Sequence, residues 1–362
     1  MDFIVYINLK RFAALILSVA SLCVNISDSS AHPLIKKTFN NRLDLLDNHL
    51  SSSSPLSSLL DPGNTTLGLA QKPKTAIDRL NSTFPRYAQS PEPSSPPPDK
   101  SQYNLFNPTP KELLREFSTD RPNLATSPIT VDAGHFYTET DVINYTRKGV
   151  DENGDTTEKF LFGSTTLRAG LTNNVEFRLL FQPYNLARTT SRGTGEVQKS
   201  AGFDTLQPGL KINIYGNDTY KKPGDTAFAL FPFINIPTAQ KGLGGNSVEG
   251  GLTTLFIYKI SNELDIEVNV ELDAIKNGAS DGYHIESANV VSLDYQITPS
   301  LGTFFEIATR FNNESQLGAI ATFDTGLLLN IGNDTQIDLG AFIGLTHGAN
   351  DINPYLGFSK RF

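Results

Sequence analysis

The chain has 362 residues, a formal net charge of −8, a sequence pI of about 5.2 and 38% apolar residues. An acidic chain without a basic run argues against a nucleic-acid partner, because such binding depends on neutralising phosphates with Lys and Arg. Cys23 is the only cysteine, which excludes an internal disulfide and a thiolate metal site. Beyond the first 25 residues, no stretch reaches the roughly 20 consecutive apolar residues that a transmembrane helix needs.

Residues 1–31 have the pattern of a secretory signal peptide. Lys10 and Arg11 form the charged start, residues 12–24 form the apolar stretch, and residues 29–31 are small enough for a cleavage zone. We expect Cys23 to be removed with this peptide. A lipoprotein signal is the alternative, although the bulky residue before the cysteine is atypical of one.

Residues 32–109 are expected to be a disordered low-complexity tether, because their Ser- and Pro-rich tracts cannot bury enough apolar surface to offset the ordering entropy. Residues 110–128 form a separate pre-barrel segment. A short helix is predicted over residues 110–117, with Thr109 as its N-cap and Glu112 completing a weak capping box. The remainder of this segment is a candidate plug for the lumen of the barrel predicted next.

Residues 129–362 alternate between short strands and turns. The clearest strand, residues 264–273, alternates apolar and polar side chains over ten positions, which places the two kinds on opposite faces. Ten residues also suffice for a tilted strand to cross a bilayer. Similar alternation occurs at residues 175–182, 206–214, 301–311, 321–329 and 337–345. About twelve such segments predict an all-β fold, an antiparallel transmembrane β-barrel with its first strand starting near Ile129.

The connections between these strands alternate in length. Short polar turns are expected at residues 172–174, 261–263, 298–300 and 332–334, and longer loops at residues 148–157, 187–203, 237–247 and 276–282. Short turns on one side and long loops on the other are typical of outer-membrane barrels. A soluble β-sandwich is the rival architecture, but it does not explain the signal peptide and the loop asymmetry together.

The last strand, residues 354–362, alternates and ends on an aromatic residue, Phe362. This ending is typical of the closing strand of a bacterial outer-membrane barrel. It predicts location in the outer membrane, contact with outer-membrane lipid, and recognition of the strand by the barrel-assembly machinery.

Several blocks of sequence also resemble one family. They are residues 115–122, 127–136, 142–145, 170–176, 210–218, 232–238, 248–252, 321–327, 344–346 and 350–357. In order and spacing they are similar to the outer-membrane β-barrel family described as transporters of the MetA pathway of phenol degradation. The resemblance covers roughly residues 115–362 and implies passage of small organic molecules through the outer membrane.

The polar face of the strands is the candidate functional surface, because barrels place polar side chains in the lumen. The positions expected to line the lumen are Glu139, Asp141, Arg168, Glu176, Arg178, Lys211, Glu249, Asp265, Glu267, Glu271, Asp273, Glu286, Asp294, Glu306, Arg310, Asp324 and Asp338, with His135, His284 and Arg361 beside them. A lumen that is acidic on balance favours cations or neutral polar solutes. Alternatively, these charges pair with one another and fill a narrow interior.

The resulting functional hypothesis is passive diffusion of small organic solutes, aromatic ones included, with no cofactor, no metal and no catalysis. Two alternatives stay open: a closed structural barrel, and an outer-membrane hydrolase acting on lipids or esters. A hydrolase would need a serine beside an oriented histidine, and the barrel region offers His135, His284 and His347.

Overall fold

The computed structural model describes residues 98–150, 154–278, 280–311 and 319–362. The signal peptide and most of the tether expected before residue 98 lie outside the described residues. Within the described part of the chain, no helix is long and apolar enough to cross a membrane.

The described residues form one antiparallel sheet of fourteen strand segments. They are β1 (Phe136–Lys148), β2 (Asp155–Gly170), β3 (Val175–Phe181), β4 (Tyr184–Ser191), β5 (Val197–Gly202), β6 (Gln207–Tyr215), β7 (Thr226–Asn235), β8 (Glu249–Lys259), β9 (Leu264–Lys276), β10 (Tyr283–Thr298), β11 (Leu301–Phe311), β12 (Ile320–Asn330), β13 (Thr335–Gly344) and β14 (Ile352–Arg361). Because β1 pairs with both β14 and β2, the sheet closes into a barrel.

Two of the strands in the barrel wall are interrupted. β3 and β4 both pair with β2, while β6 pairs with β3 and β5 pairs with β4. Pro183 separates β3 from β4, and a proline cannot donate a hydrogen bond to the sheet. The fourteen segments therefore make a closed wall of twelve strands. The prediction of an antiparallel barrel of about twelve strands is confirmed.

The alternation of side chains decides which face of each strand is internal. In β9, Glu267 is 6% and Asp273 is 4% exposed, whereas Val270 is 41% and Leu272 is 53% exposed. The polar face is thus the buried, inner one and the apolar face points outward, the reverse of a water-soluble protein and the arrangement of a membrane barrel.

Three sequence predictions differ from the structure. The first strand begins at Phe136 rather than near Ile129, because the backbone N–H groups of Thr130 and Val131 bond to side chains inside the barrel. The helix expected over residues 110–117 is a single 3-10 turn, Lys111–Leu113, without a side-chain cap. The long loop expected over residues 187–203 is mainly strand, since β4 and β5 continue the wall as a hairpin.

The two ends of the barrel differ in their connections. At one end, most of the strands are joined by tight turns at residues 171–174, 260–263, 299–300 and 331–334, with one longer connection at residues 216–225. We call it the turn end, and the opposite one the loop end. Short turns face the periplasm in outer-membrane barrels, so the turn end is the periplasmic one.

Glycines on the inner face make room for aromatic rings. Gly326 of β12 lies under the ring of Phe304, and a Cβ added there would stand 2.9 Å from that ring and 2.6 Å from the carbonyl oxygen of Leu339. Since the second distance involves the backbone of the neighbouring strand, a side chain at this position forces the two strands apart.

We therefore predict that Gly326→Val lowers the stability of the folded barrel by about 1–3 kcal/mol or more, the usual cost of overpacking. The measurement is the temperature at which the protein loses its heat-modifiable migration on a gel. Gly245→Val is the matched control, because a Cβ there would meet no atom within 4 Å. Equal transition temperatures for the two variants would contradict the prediction.

Candidate functional site

The seventeen charged positions expected in the lumen lie on the inner side of the wall or at its rims. Ten are buried: Glu139, Arg168, Glu176, Lys211, Glu267, Asp273, Glu286, Glu306, Asp324 and Asp338. Seven are partly buried: Asp141, Arg178, Glu249, Asp265, Glu271, Asp294 and Arg310. None of the seventeen side chains is exposed, whereas many apolar side chains on the outer face are.

Residues 115–131 run through the interior of the barrel, and we call them the luminal segment. They contact strands on all sides of the wall, including β2, β6, β9, β11 and β13. The sequence placed part of this segment before the barrel; its contacts with inward side chains of the wall are described below.

The most buried contact of the luminal segment is made by Asp120. Its carboxylate accepts two hydrogen bonds from the ammonium of Lys211, each 2.9 Å long, and lies 3.3 Å from Arg168. Arg168 also binds Glu176 at 2.9 Å and Glu139 at 2.8 Å. Buried charges need partners of opposite sign. Asp120 supplies a carboxylate to Lys211 and Arg168 in addition to the carboxylates of the wall.

Arg121 attaches the luminal segment to strands β1 and β13. Its guanidinium binds Asp141 of β1 at 2.7 Å and Asp338 of β13 at 2.8 Å, and it lies 5.6 Å from the ring centroid of Tyr355. Two consecutive residues of the segment, Asp120 and Arg121, therefore form ion pairs with charges of opposite sign on different strands of the wall.

The middle of the luminal segment is held through its backbone. The N–H groups of Leu124 and Ala125 donate to the carboxylate of Glu306 at 2.9 and 2.8 Å. The N–H of Thr126 donates to Asn269 at 2.6 Å, and the amide of Asn269 donates back to the carbonyl of Thr126 at 3.1 Å. These side chains replace the strand partners that an extended backbone otherwise needs.

At the turn end, Arg115 and Lys100 share two carboxylates. Lys100 lies 3.1 Å from Asp132 and 2.8 Å from Asp218, and Arg115 lies 3.3 Å and 3.0 Å from the same two groups. Burial opposes ionisation of Asp218, but hydrogen bonds and charge from Arg115, with further hydrogen bonds from Asn173 and Lys100, lower the pKa of its carboxyl to about 2.

A second cluster lies towards the loop end. Arg310 lies 2.8 Å from Asp273, 3.2 Å from Glu286 and 3.3 Å from Glu271. His284 contacts Glu286 at 3.3 Å. One guanidinium thus stands among three carboxylates, so this part of the lumen keeps an acidic balance.

Sequence reasoning missed an apolar part of the inner wall. Ala229, Phe231 and Phe233 of β7 and Leu255 of β8 are buried together, and the Arg178 guanidinium lies 4.5 Å from the Phe231 ring centroid. A signal was present, because residues 226–235 are apolar on nearly every position, so both faces of this strand carry apolar side chains.

A cavity of about 1650 Å³ lies between the luminal segment and the wall at the turn end. Its lining includes Asn123 of the segment, Ile257 of β8, Glu267 of β9 and Asp294 of β10. Asn123 and Ser127, which flank the anchored stretch from Leu124 to Thr126, both line the cavity, so a solute that enters it reaches the luminal segment.

His135 and His284 contact carbonyl oxygens, an amide and a carboxylate. His135 contacts the carbonyl oxygens of Thr109 and Phe362, and His284 contacts Asn277 and Glu286. No group of three or more His, Cys, Asp or Glu side chains within the described ranges is placed to hold a metal ion.

Together, the closed wall, its apolar outer face and its polar interior define a bacterial outer-membrane β-barrel. The chain belongs to the family described as "Putative MetA-pathway of phenol degradation", whose model matches residues 119–362. This match confirms the resemblance deduced from the sequence motifs. A comparison with curated proteins returned no match.

Solved structures of outer-membrane proteins align with this chain. An outer-membrane channel of Pseudomonas putida F1 aligns with a TM-score of 0.51 at 11% identity, covering 68% of this chain and 100% of that one. The NanC porin aligns with a TM-score of 0.41 at 8% identity, over 61% and 98% of the two chains. The toluene transporter TbuX of Ralstonia pickettii aligns with a TM-score of 0.35 at 12% identity, over 63% and 89%.

The Asp120 contacts predict a large effect of Asp120→Ala, because the substitution leaves Lys211 and Arg168 buried with too few carboxylates. We expect a loss of about 3–5 kcal/mol in unfolding free energy, measured by urea unfolding in micelles with circular dichroism. Arg188→Gln is the control, since Arg188 is 51% exposed and 4.0 Å from Glu158, where a pair contributes about 1 kcal/mol or less. Similar losses of unfolding free energy in both variants would contradict the prediction.

The turn-end contacts predict an acid-sensitive attachment. The pKa of Asp218 is lowered from its ordinary value of 3.8 to about 2, so its ionised form stabilises the fold above about pH 4, and this contribution is lost as the pH falls towards about 2. We expect pepsin to cleave near Leu114 and Phe117 only as the pH falls through this window.

Asp218→Asn should show that cleavage already at about pH 4, because the charge is absent throughout. Asp225→Asn is the control in the same turn, since Asp225 accepts hydrogen bonds from the N–H groups of Lys221 and Lys222. A cleavage profile for Asp218→Asn that matches the native one would refute the assignment.

Proposed function

We propose that this protein is a passive channel that lets small organic solutes cross the outer membrane. The observation that carries the proposal is a closed barrel whose interior is charged and contains a cavity of about 1650 Å³ open at the turn end. The family membership and the solved channels of the same fold support it. What those channels carry is a property of those proteins, and the cargo of small organic solutes, aromatic ones included, is our proposal.

The charge of the lumen determines which solutes we expect the channel to prefer. Of the seventeen inner positions, thirteen are Asp or Glu and four are Arg or Lys. The luminal segment adds charges of both signs, which pair with the wall at Asp120 and Arg121. An excess of carboxylates along a pore favours cations and neutral polar solutes over anions.

We further propose that the luminal segment is a plug that limits conduction. Its anchored stretch, residues 124–126, bonds to Glu306 and Asn269 on two different strands and lies at the inner end of the turn-end cavity. Displacement of this stretch would remove backbone from between Glu306 and Asn269. A barrel in which the segment never moves is the structural alternative.

The hydrolase alternative has less support. His135 bonds to backbone carbonyls and His284 to an amide and a carboxylate, whereas a serine hydrolase needs the histidine beside a serine hydroxyl. Esterase or lipase activity of the pure protein that His135→Ala, His284→Ala or His347→Ala abolishes would favour the enzyme over the channel.

The test of the channel is the conductance of the full chain in a planar bilayer under a salt gradient. We expect small, steady conductance with a reversal potential that shows cation preference. Replacing both anchors, in Asn269→Ala with Glu306→Ala, should raise the single-channel conductance severalfold, because the middle of the luminal segment loses its partners.

Glu196→Ala is the control for this double variant, since Glu196 is exposed in the turn between β4 and β5. Folding is checked by heat-modifiable migration. A correctly folded double variant that conducts no better than the native protein would overturn the plug, and absence of conductance in both would favour the structural barrel.

A further inference from the structure

One carboxylate beside the turn-end cavity has no partner. Glu267 is 6% exposed and lines the cavity, yet no hydrogen bond or ion pair among the described residues reaches its carboxylate. Burying a charged group without a partner costs free energy. The ionised form of Glu267 therefore needs a positively charged group, and the adjoining cavity is the space that can hold one.

Neighbouring side chains increase the local negative charge. Asp265 and Asp294 stand directly opposite each other in the register of β9 with β10, and Ser292 stands opposite Glu267. Asp265 is neutralised by Lys259 at 3.0 Å. Like charges at directly opposite positions destabilise a sheet, so the remaining carboxylates need compensation.

Asp294 has only neutral donors in its described contacts. The amide of Asn123 donates to it at 3.3 Å and the hydroxyl of Ser292 at 3.0 Å. The ammonium of Lys211 is already bound by Asp120 at 2.9 Å and lies 3.5 Å from Glu176. Glu267 and Asp294 are thus two adjacent carboxylates without a cation of their own.

The surroundings favour an organic cation over a metal ion. Ile257 is opposite Glu267 in the register of β8 with β9, is 5% exposed and lines the cavity. The ring of Tyr220, also in the lining, has the ammonium of Lys259 at 4.9 Å from its centroid. Within the described ranges, no cluster of side chains is placed to bind a metal ion, whereas an apolar wall beside carboxylates suits an amine with a hydrocarbon body.

We propose that Glu267 and Asp294 form a binding site for small organic cations, with an ammonium group between the two carboxylates and an apolar body against Ile257. The inference rests on the proposed channel function and names a class of solute for it. A cavity of about 1650 Å³ holds such a solute together with water, since drug-sized ligands occupy roughly 300–1,000 Å³.

The test uses the full chain in micelles, with phenethylamine as probe and 2-phenylethanol as its uncharged counterpart, by isothermal titration calorimetry. We expect phenethylamine to bind at least tenfold more tightly than the alcohol. Glu267→Gln and Asp294→Asn should each weaken the amine at least tenfold and leave the alcohol unchanged. Glu196→Gln, an exposed carboxylate in the turn between β4 and β5, should not alter either affinity.

Both site substitutions keep the shape of the side chain and remove an unpaired buried charge, so the barrel is expected to fold as well as the native protein. Heat-modifiable migration checks this. Equal affinities for amine and alcohol, or an unchanged amine affinity in folded Glu267→Gln, would overturn the site.

Binding in micelles does not depend on conduction, which separates this proposal from the channel. A protein that binds phenethylamine through Glu267 but never conducts keeps the site and overturns the channel. A protein that conducts but shows no preference for the amine overturns the site alone.

Discussion

A backbone inside a bilayer has no water to bond, so each N–H and C=O of its strands must find a partner within the protein. In this chain the requirement is met by joining β1 to both β14 and β2. Closure then fixes the faces: apolar side chains meet lipid, and the polar ones turn inward. The crowded, charged interior is therefore a consequence of closing the wall.

That interior imposes a second requirement, because inward charges are too many and too buried to remain unpaired. The luminal segment meets much of this need, with Asp120 among the cations of β2 and β6 and Arg121 among the carboxylates of β1 and β13. Within the described part of the chain, Glu267 and Asp294 beside the turn-end cavity contact no cation and receive only neutral donors. Because this pair borders a cavity, it is an informative place to look for a solute.

The sequence predicted the wall better than its contents. Period-two alternation, as in residues 264–273, indicates a strand and separates its two faces, so the barrel could be predicted. The path of residues 115–131 could not, because their backbone bonds to Asn269 and Glu306, which are more than a hundred residues away in the chain. The apolar inner wall at Phe231 was missed because the alternation disappears when both faces of a strand are apolar.

The separation in sequence between Arg121 and Asp338, 217 residues, has a consequence for assembly. The luminal segment precedes the barrel in the chain, yet its partner on β13 belongs to the last two strands. The luminal segment is thus synthesised before the barrel strands, but its ion pair with Asp338 can form only after β13 has been synthesised. Contacts this distant slow folding, and closure of the wall and filling of the lumen become one event.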